Sequence, residues 1–122
     1  MSTLNDVSAM VLETMRAWYT SPTLAINWEQ GPNQRVQGVS GANSVTGFTN
    51  PFSGLTHVLK LLQPTSGAAA TFTLVGIGHG GADVVLTVSS TSSKHNLVTL
   101  NYDASPPNGQ SAWSIAVGPE QG

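Results

Sequence analysis

The segment "ATFTLVGIGHGGADVVLTVS", residues 70–89, decides the fold class of this chain. It contains two apolar runs, 70–77 and 83–89, on either side of a glycine-rich stretch. In the first run, Phe72 and Leu74 alternate with threonines, and a period of two is typical of a strand with one buried face. The second run alternates in the same way, so the segment predicts a β-hairpin.

Three glycines of this segment, Gly76, Gly78 and Gly81, have the spacing of a dinucleotide-binding fingerprint. That loop works where a strand turns into a helix whose N-terminus faces a pyrophosphate. Here residues 82–89 are strand formers, so the helix on which phosphate binding depends is not predicted. We interpret the stretch as a hairpin tip, in which Gly78, Gly80 and Gly81 supply backbone angles that a residue with a Cβ resists.

From residue 24 onward similar runs recur, rich in Val, Thr, Leu and Ile and separated by Gly, Pro, Asn and Ser. Short runs at this spacing indicate antiparallel strands in a sandwich or barrel, and we expect a sandwich over 24–118. The predicted strands are 24–28, 35–41, 44–48, 57–63, 70–77, 83–89, 96–102 and 113–118. A chain of 122 residues fits a single domain, 1–122.

Residues 2–20 have a different period. Their apolar side chains recur at steps of three and four, which predicts an amphipathic α-helix that Pro22 ends. The stripe consists of Leu4, Val7, Val11, Met15 and Trp18. Such a stripe packs on its own sheet or on a second copy, so these five residues are candidate oligomerisation contacts. The expected fold is mainly β, with one N-terminal amphipathic α-helix before an antiparallel β-sandwich.

The composition excludes several classes of partner. Only 8% of residues are charged, the formal net charge is -2, and the four basic residues do not cluster, so no nucleic-acid partner is expected. Cysteine is absent, which excludes disulfides and thiolate zinc sites. Charges interrupt the N-terminal apolar residues too often for a signal peptide or a membrane span. We expect no integral membrane segment, and a location that is cytoplasmic or reached without a signal peptide.

Candidate catalytic and metal-binding patterns are incomplete. The serines lack a G-x-S-x-G motif and the acidic residues form no convincing pair, so we expect no enzyme activity. His79 and Asp83 lie four residues apart without a third metal ligand. Asp103 and Asn108 lie in a turn-rich loop, where an Asx turn or a calcium ion would use the same oxygens. We predict no cofactor and no metal site, with calcium near Asp103 left open.

What remains is a neutral surface of hydroxyls, amides and aromatic rings, which suits the hydroxyls and apolar faces of sugars. Strand ends and loop tips are favoured positions for contacts, because binding groups there vary without disturbing the scaffold. The candidate ligand-binding residues are Trp28, Asn33, His79, Asp83, Tyr102, Asp103 and Asn108. Trp28 and Trp113 also alternate with core residues, so a core position is the alternative for both.

The order of elements resembles that of the fungal immunomodulatory proteins, through Asn27-Trp28, the turn "EQGPN" and the final hairpin "LVTLNYDASPPNGQSAWSIAV". That resemblance implies a helix before a fibronectin III-like sandwich, dimerisation through the helix and lectin-like binding at cell surfaces. The final hairpin is also similar to that of bacterial galactose-binding calcium lectins. Asp103 and Asn108 supply fewer oxygen ligands than the calcium loop of that family, so its metal site is not carried over.

These observations predict a non-catalytic, lectin-like module that recognises a carbohydrate or glycoprotein and gains avidity as a homo-oligomer, a dimer or larger. The alternative is a structural or assembly protein, such as a virion or tail component, in which the N-terminal helix makes subunit contacts. A membrane-active toxin is less favoured, because the helix lacks a cationic polar face.

Overall fold

A computed structural model describes residues 17–122 of the chain. Within that range the protein is mostly β, with nine strands and two short 3-10 turns, Trp28–Gln30 and His79–Gly81. The strands are β1 (Ala17–Thr20), β2 (Thr23–Asn27), β3 (Asn33–Gln37), β4 (Gly41–Thr49), β5 (Thr56–Leu62), β6 (Ala70–Leu74), β7 (Val84–Leu86), β8 (His95–Tyr102) and β9 (Trp113–Val117). All eight sequence-predicted strands are therefore confirmed, with ends shifted by a few residues.

The strands form two mixed sheets, in the orders β1-β3-β5-β8-β9 and β2-β4-β6-β7. From β1 to β6 the chain alternates between the sheets, and each strand pairs in parallel with the strand two before it. The chain then reverses, because β7 pairs antiparallel with β6, β8 with β5, and β9 with β8. The first half of the described chain therefore winds between the two sheets, and each full winding contributes one strand to each sheet.

This topology corrects the prediction of antiparallel pairing throughout. Pairing is antiparallel at β5–β8, β6–β7 and β8–β9, but parallel at the four contacts made within β1 to β6. Parallel neighbours need a crossover between them, and here each crossover is a strand of the opposite sheet. Alternation of side chains locates a strand but does not identify its partner, so the sequence pattern could not distinguish the two arrangements.

The predicted helix over 2–20 is wrong for its last residues. Ala17–Thr20 form β1, an edge strand whose partners in β3 run from Gln34 to Gln37. Aromatic and β-branched residues favour a strand when a sheet edge is available, and this pairing overrides a helical period that continues through them. Four oligomerisation candidates, Leu4, Val7, Val11 and Met15, lie outside the described residues, and of Trp18 only its backbone position in β1 is described.

The hydrophobic core lies between the two sheets and draws alternate residues from both. Leu59 and Leu61 of β5 and Phe72 and Leu74 of β6 are all completely or almost completely buried. The predicted alternation of Phe72 and Leu74 with threonines is therefore confirmed within β6, and it ends with the strand at Leu74. Packing of these two apolar faces against each other holds the strand ends in place, and the candidate site lies at one such end.

Buried amide side chains complete the backbone hydrogen bonding where the chain passes between sheets. Gln63 Nε2 donates to the Ala70 carbonyl at 2.8 Å, and the Ala70 N–H donates to Gln63 Oε1 at 2.7 Å. Asn43 Nδ2 donates to the carbonyls of Val39 and Thr71 in the same manner. A buried backbone N–H or carbonyl without a hydrogen-bond partner lowers the free energy of unfolding. These side chains therefore take the place of a neighbouring strand as hydrogen-bond partners of the backbone.

Candidate functional site

Residues 70–89 form the β-hairpin that their sequence predicts. β6 and β7 pair antiparallel, with Leu74 opposite Val84, and residues 75–83 form the tip. The Gly78 N–H donates to the Ala82 carbonyl at 2.7 Å. The Gly76 N–H donates to Asp83 Oδ1 at 3.0 Å, so the aspartate side chain closes the tip from one side. The phosphate-binding interpretation therefore lacks its helix.

The tip glycines have two different physical roles. Gly76, Gly80 and Gly81 have φ of +78°, +67° and +81°, and a Cβ on any of them would meet nothing within 4 Å. Gly78 has φ of -80°, which corrects the prediction that it supplies an unusual backbone angle. A Cβ on Gly78 would lie 2.8 Å from the Ala82 carbonyl oxygen, so this glycine permits close approach of two backbone segments.

A second loop, residues 103–112 between β8 and β9, faces the hairpin tip. Its turn is closed by a hydrogen bond from the Gln110 N–H to the Pro107 carbonyl at 3.0 Å. Asn108 and Gly109 occupy the centre of that turn with φ of +52° and +71°, as an Asn-Gly pair favours. Asp103 Oδ1 accepts the Ser105 N–H at 2.9 Å. Asp103 and Asn108 thus have the turn roles that were the alternative to calcium binding.

An open cleft of about 500 Å³ lies between these two loops, where the ends of β4, β6 and β8 meet the start of β9. We call it the aromatic cleft. Its described lining is Phe48, Pro51, Gly76, Ile77, Gly78, Gly80, Gly81, Tyr102, Gly109, Gln110, Ser111, Ala112 and Trp113. None of these described lining residues carries a charge. The walls offer backbone amides, one carboxamide and hydroxyls beside aromatic rings.

Tyr102 and Trp113 form the aromatic platform of the cleft. They are paired across β8 and β9, and their ring centroids lie 4.8 Å apart. Both are only partly buried, so their rings are accessible from the cleft. Behind them Trp113 packs on Phe48 at 6.0 Å and on Trp28 at 6.3 Å, which fixes the platform to the core.

Ser111 connects the two walls of the cleft. Its hydroxyl donates to the Ile77 carbonyl in the hairpin tip at 3.0 Å and accepts the Trp113 N–H at 3.2 Å. One side chain therefore fixes the distance between loops that are far apart in sequence. The two walls of the cleft are therefore joined by a hydrogen bond.

A buried histidine supports the platform from below. His57 is completely buried, and its ring lies 4.6 Å from that of Trp28 and 5.6 Å from that of Trp113. His57 Nε2 is 3.0 Å from the Phe52 N–H nitrogen, and Nδ1 is 3.1 Å from the Leu100 carbonyl oxygen. Burial lowers the pKa of His57, and the hydrogen bond to Leu100 partly opposes that effect.

The structure brings one of the predicted ligand-binding residues into the cleft, Tyr102. Trp28 is completely buried, which corrects its assignment as a contact and confirms the alternative of a core position. His79 and Asp83 are exposed at the hairpin tip but outside the lining, and Asn33 lies at the start of β3. Asp103 and Asn108 are exposed in the facing loop, beside the lining.

Phe48, Gln110 and Ser111 line the cleft but were not among the predicted ligand contacts. Trp113 was assigned either to the core or to the sugar-binding surface. The signal for Trp113 was present, because a hairpin centred on residues 107–108 places it opposite Tyr102. Phe48 gives no such signal. Phe48 itself has φ of +51°. Phenylalanine rarely adopts this conformation, and no sequence pattern indicates it.

Other chemistry is limited in the part of the chain that the structure describes. Within residues 17–122 no group of three or more His, Cys, Asp or Glu side chains is placed to hold a metal ion. No helix in that range is long and apolar enough to cross a membrane. Comparison of the chain with protein-family models, with curated proteins and with solved structures finds no significant match.

Proposed function

We propose that this chain is a non-catalytic, lectin-like recognition module that binds a neutral carbohydrate in the aromatic cleft. The observation that carries the proposal is the partly exposed Tyr102–Trp113 pair inside a lining without charged residues. The C–H face of a sugar packs on such rings, while its hydroxyls bond to neutral amides and hydroxyls. Gln110, Ser111 and the backbone of the glycine-rich tip supply those groups.

The size of the cleft supports a short glycan rather than an extended chain. About 500 Å³ lies within the range of about 300–1,000 Å³ that is common for small-molecule sites. The absence of cationic groups from the described lining disfavours phosphorylated and other anionic ligands. Binding at one such cleft is weak, and several copies in an oligomer would raise the avidity.

The direct test is calorimetric titration of the protein with lactose, maltose and cellobiose, compared with glucose 6-phosphate. We expect binding of at least one neutral disaccharide and none of the phosphate ester. Tyr102→Ala removes half of the platform and should abolish binding. Leu97→Ala is the matched control, because Leu97 lies on the same strand, β8, and is 39% exposed. Equal binding by both variants, or no binding of any neutral sugar by the wild type, would contradict the proposal.

The second candidate, a structural or assembly protein, is supported by exposed apolar residues on the end strands of the two sheets that residues 17–122 form. Val85 is 74% exposed on β7, the last strand of its sheet, and Val117 is 37% exposed on β9, the last strand of the other. Apolar edge strands without guarding charges favour contact with another chain. Light scattering after gel filtration distinguishes the candidates: large particles that Val85→Asp dissociates support assembly, and a small closed oligomer supports the lectin.

A further inference from the structure

We propose that His57 makes the aromatic cleft acid-sensitive: a second proton on its ring releases residues 50–55, which hold Tyr102, and the cleft loses its ligand. We call residues 50–55, between β4 and β5, the connecting segment. Its release is a property of the protein alone. The loss of ligand rests, in addition, on the proposed function.

The hydrogen bonds of His57 determine its tautomer. A backbone carbonyl only accepts, so the contact with Leu100 places the ring proton on Nδ1. A backbone N–H only donates, so Nε2 must carry the lone pair that accepts the Phe52 N–H. The neutral ring thus satisfies both partners. A second proton has only Nε2 to occupy, and two N–H donors would then face each other across a distance that is now 3.0 Å.

The connecting segment is bonded to both sides of Tyr102. The Gly54 N–H donates to the Tyr102 carbonyl at 2.8 Å, and the Tyr102 N–H donates to the Leu55 carbonyl at 3.5 Å. The segment also contributes Pro51 to the lining of the cleft. The ring of Phe52 stacks on that of His57 at 5.9 Å. Displacement of the Phe52 backbone therefore acts on one wall of the cleft and on its platform.

In the surroundings of His57 the Leu100 carbonyl favours the charged ring, but the effect of burial, which disfavours it, is larger. The groups that contact its ring from other elements are the rings of Trp28, Phe52 and Trp113 and the Leu100 carbonyl. No described charged group contributes to the pKa of His57, which burial lowers. The imidazolium therefore forms only when the connecting segment opens and admits water.

None of the ionisable residues that the structure describes on neighbouring elements is among the causes that shift the pKa of His57. These residues are Glu29 beside Trp28, Arg35 on β3, Lys60 on β5, and His95, Tyr102 and Asp103 on or after β8. On β5, His57 alternates with the partly exposed Lys60, so the two side chains leave opposite faces of the sheet. Lys60 acts instead on His95, whose pKa burial and that positive charge both lower.

The first test uses the wild-type protein without ligand, so its result does not depend on whether a variant folds. Long-range ¹H–¹⁵N correlation of the imidazole should show the Nδ1–H tautomer at pH 7.5. As the pH falls from 7.5 to 5, the protection factors of the Phe52 and Gly54 amides, corrected for the intrinsic exchange rate, should fall by up to about tenfold per pH unit and stay below those of Leu59 and Leu61 in the core. An Nε2–H tautomer, or protection of Phe52 and Gly54 that is independent of pH or equal to that of Leu59 and Leu61, would overturn the proposal.

The effect on the cleft is measured with the neutral disaccharides at pH 7.5 and pH 5. We expect the dissociation constant of the bound disaccharide to rise about tenfold at pH 5 in the wild type and in His95→Gln, and to stay constant in His57→Gln. The same rise in His57→Gln would overturn the proposal. If no disaccharide binds at either pH, the proposed function fails, and the amide exchange of Phe52 and Gly54 alone decides whether His57 releases the segment.

Discussion

Gly78 and Gly80 are two residues apart in one hairpin tip, yet substitution affects them through different physics. A Cβ on Gly78 would lie 2.8 Å from the backbone carbonyl oxygen of Ala82, whereas a Cβ on Gly80 would meet only open space. Gly80 instead has φ of +67°, where a residue with a Cβ is strained by about 1–2 kcal/mol. The spacing of the glycines predicted the tip but gave no way to separate these roles.

We expect Gly78→Ala to lower the free energy of unfolding by about 2–4 kcal/mol, more than Gly80→Ala, which should lower it by about 1–2 kcal/mol. The reason is that the clash at position 78 is with backbone that the hairpin holds in place. Urea denaturation of the two variants and the wild type measures both values. A Gly80 variant less stable than the Gly78 variant would show that this distinction is wrong.

A second residue-scale prediction concerns Gln63, whose side chain substitutes for a strand partner of Ala70. Gln63→Ala leaves a buried N–H and a buried carbonyl without partners, and should lower the free energy of unfolding by about 2–4 kcal/mol. Gln30→Ala is the control, because Gln30 is exposed and should change stability by less than about 0.5 kcal/mol. Similar urea midpoints for both variants would refute this role of the amide.

Among the elements, the two loops of the aromatic cleft are linked by the hydroxyl of Ser111. Ser111→Ala removes the hydrogen bond to the Ile77 carbonyl, and we expect the dissociation constant of a bound disaccharide to rise about two- to tenfold. Ser114→Ala, on the exposed face of β9, should leave binding unchanged. Titration calorimetry of the three proteins checks this. Unchanged affinity in Ser111→Ala would mean that the loops hold their positions without the hydroxyl.

The sequence pattern predicts the positions of the strands but not the pairing of strands that are distant in the chain. Alternation located β2 to β9, and the hairpins β6–β7 and β8–β9 followed because their partners are adjacent in the chain. The parallel pairs could not be predicted, because their partners are separated by a strand of the other sheet. The walls of the cleft come from β4, β6, β8 and β9, which are not all adjacent in the chain. For the same reason Tyr102 is the one lining residue that was among the predicted ligand contacts.

At the scale of the whole molecule, His57 links stability to pH. Its pKa is lower in the folded protein than the ordinary value of 6.5, so below pH 6.5 the unfolded chain binds the proton more readily. We expect the free energy of unfolding to fall as the pH drops below about 6.5, by up to about 1.4 kcal/mol per pH unit, and to be unaffected by His57 above it. Urea denaturation between pH 7.5 and 5 measures the slope, and a His57→Gln variant with the same slope as the wild type would contradict this assignment.

A protein-observed NMR titration tests whether the aromatic cleft binds a neutral sugar, as we propose. Lactose, maltose and cellobiose are added to ¹⁵N-labelled protein, and the shifts of all amides and of the tryptophan side chains are followed. We expect saturable changes at Tyr102, Trp113 and the Gly76–Gly81 tip for at least one sugar, with β1 and β3 unaffected. Saturable changes that map elsewhere, or none with any of the three sugars, would contradict it.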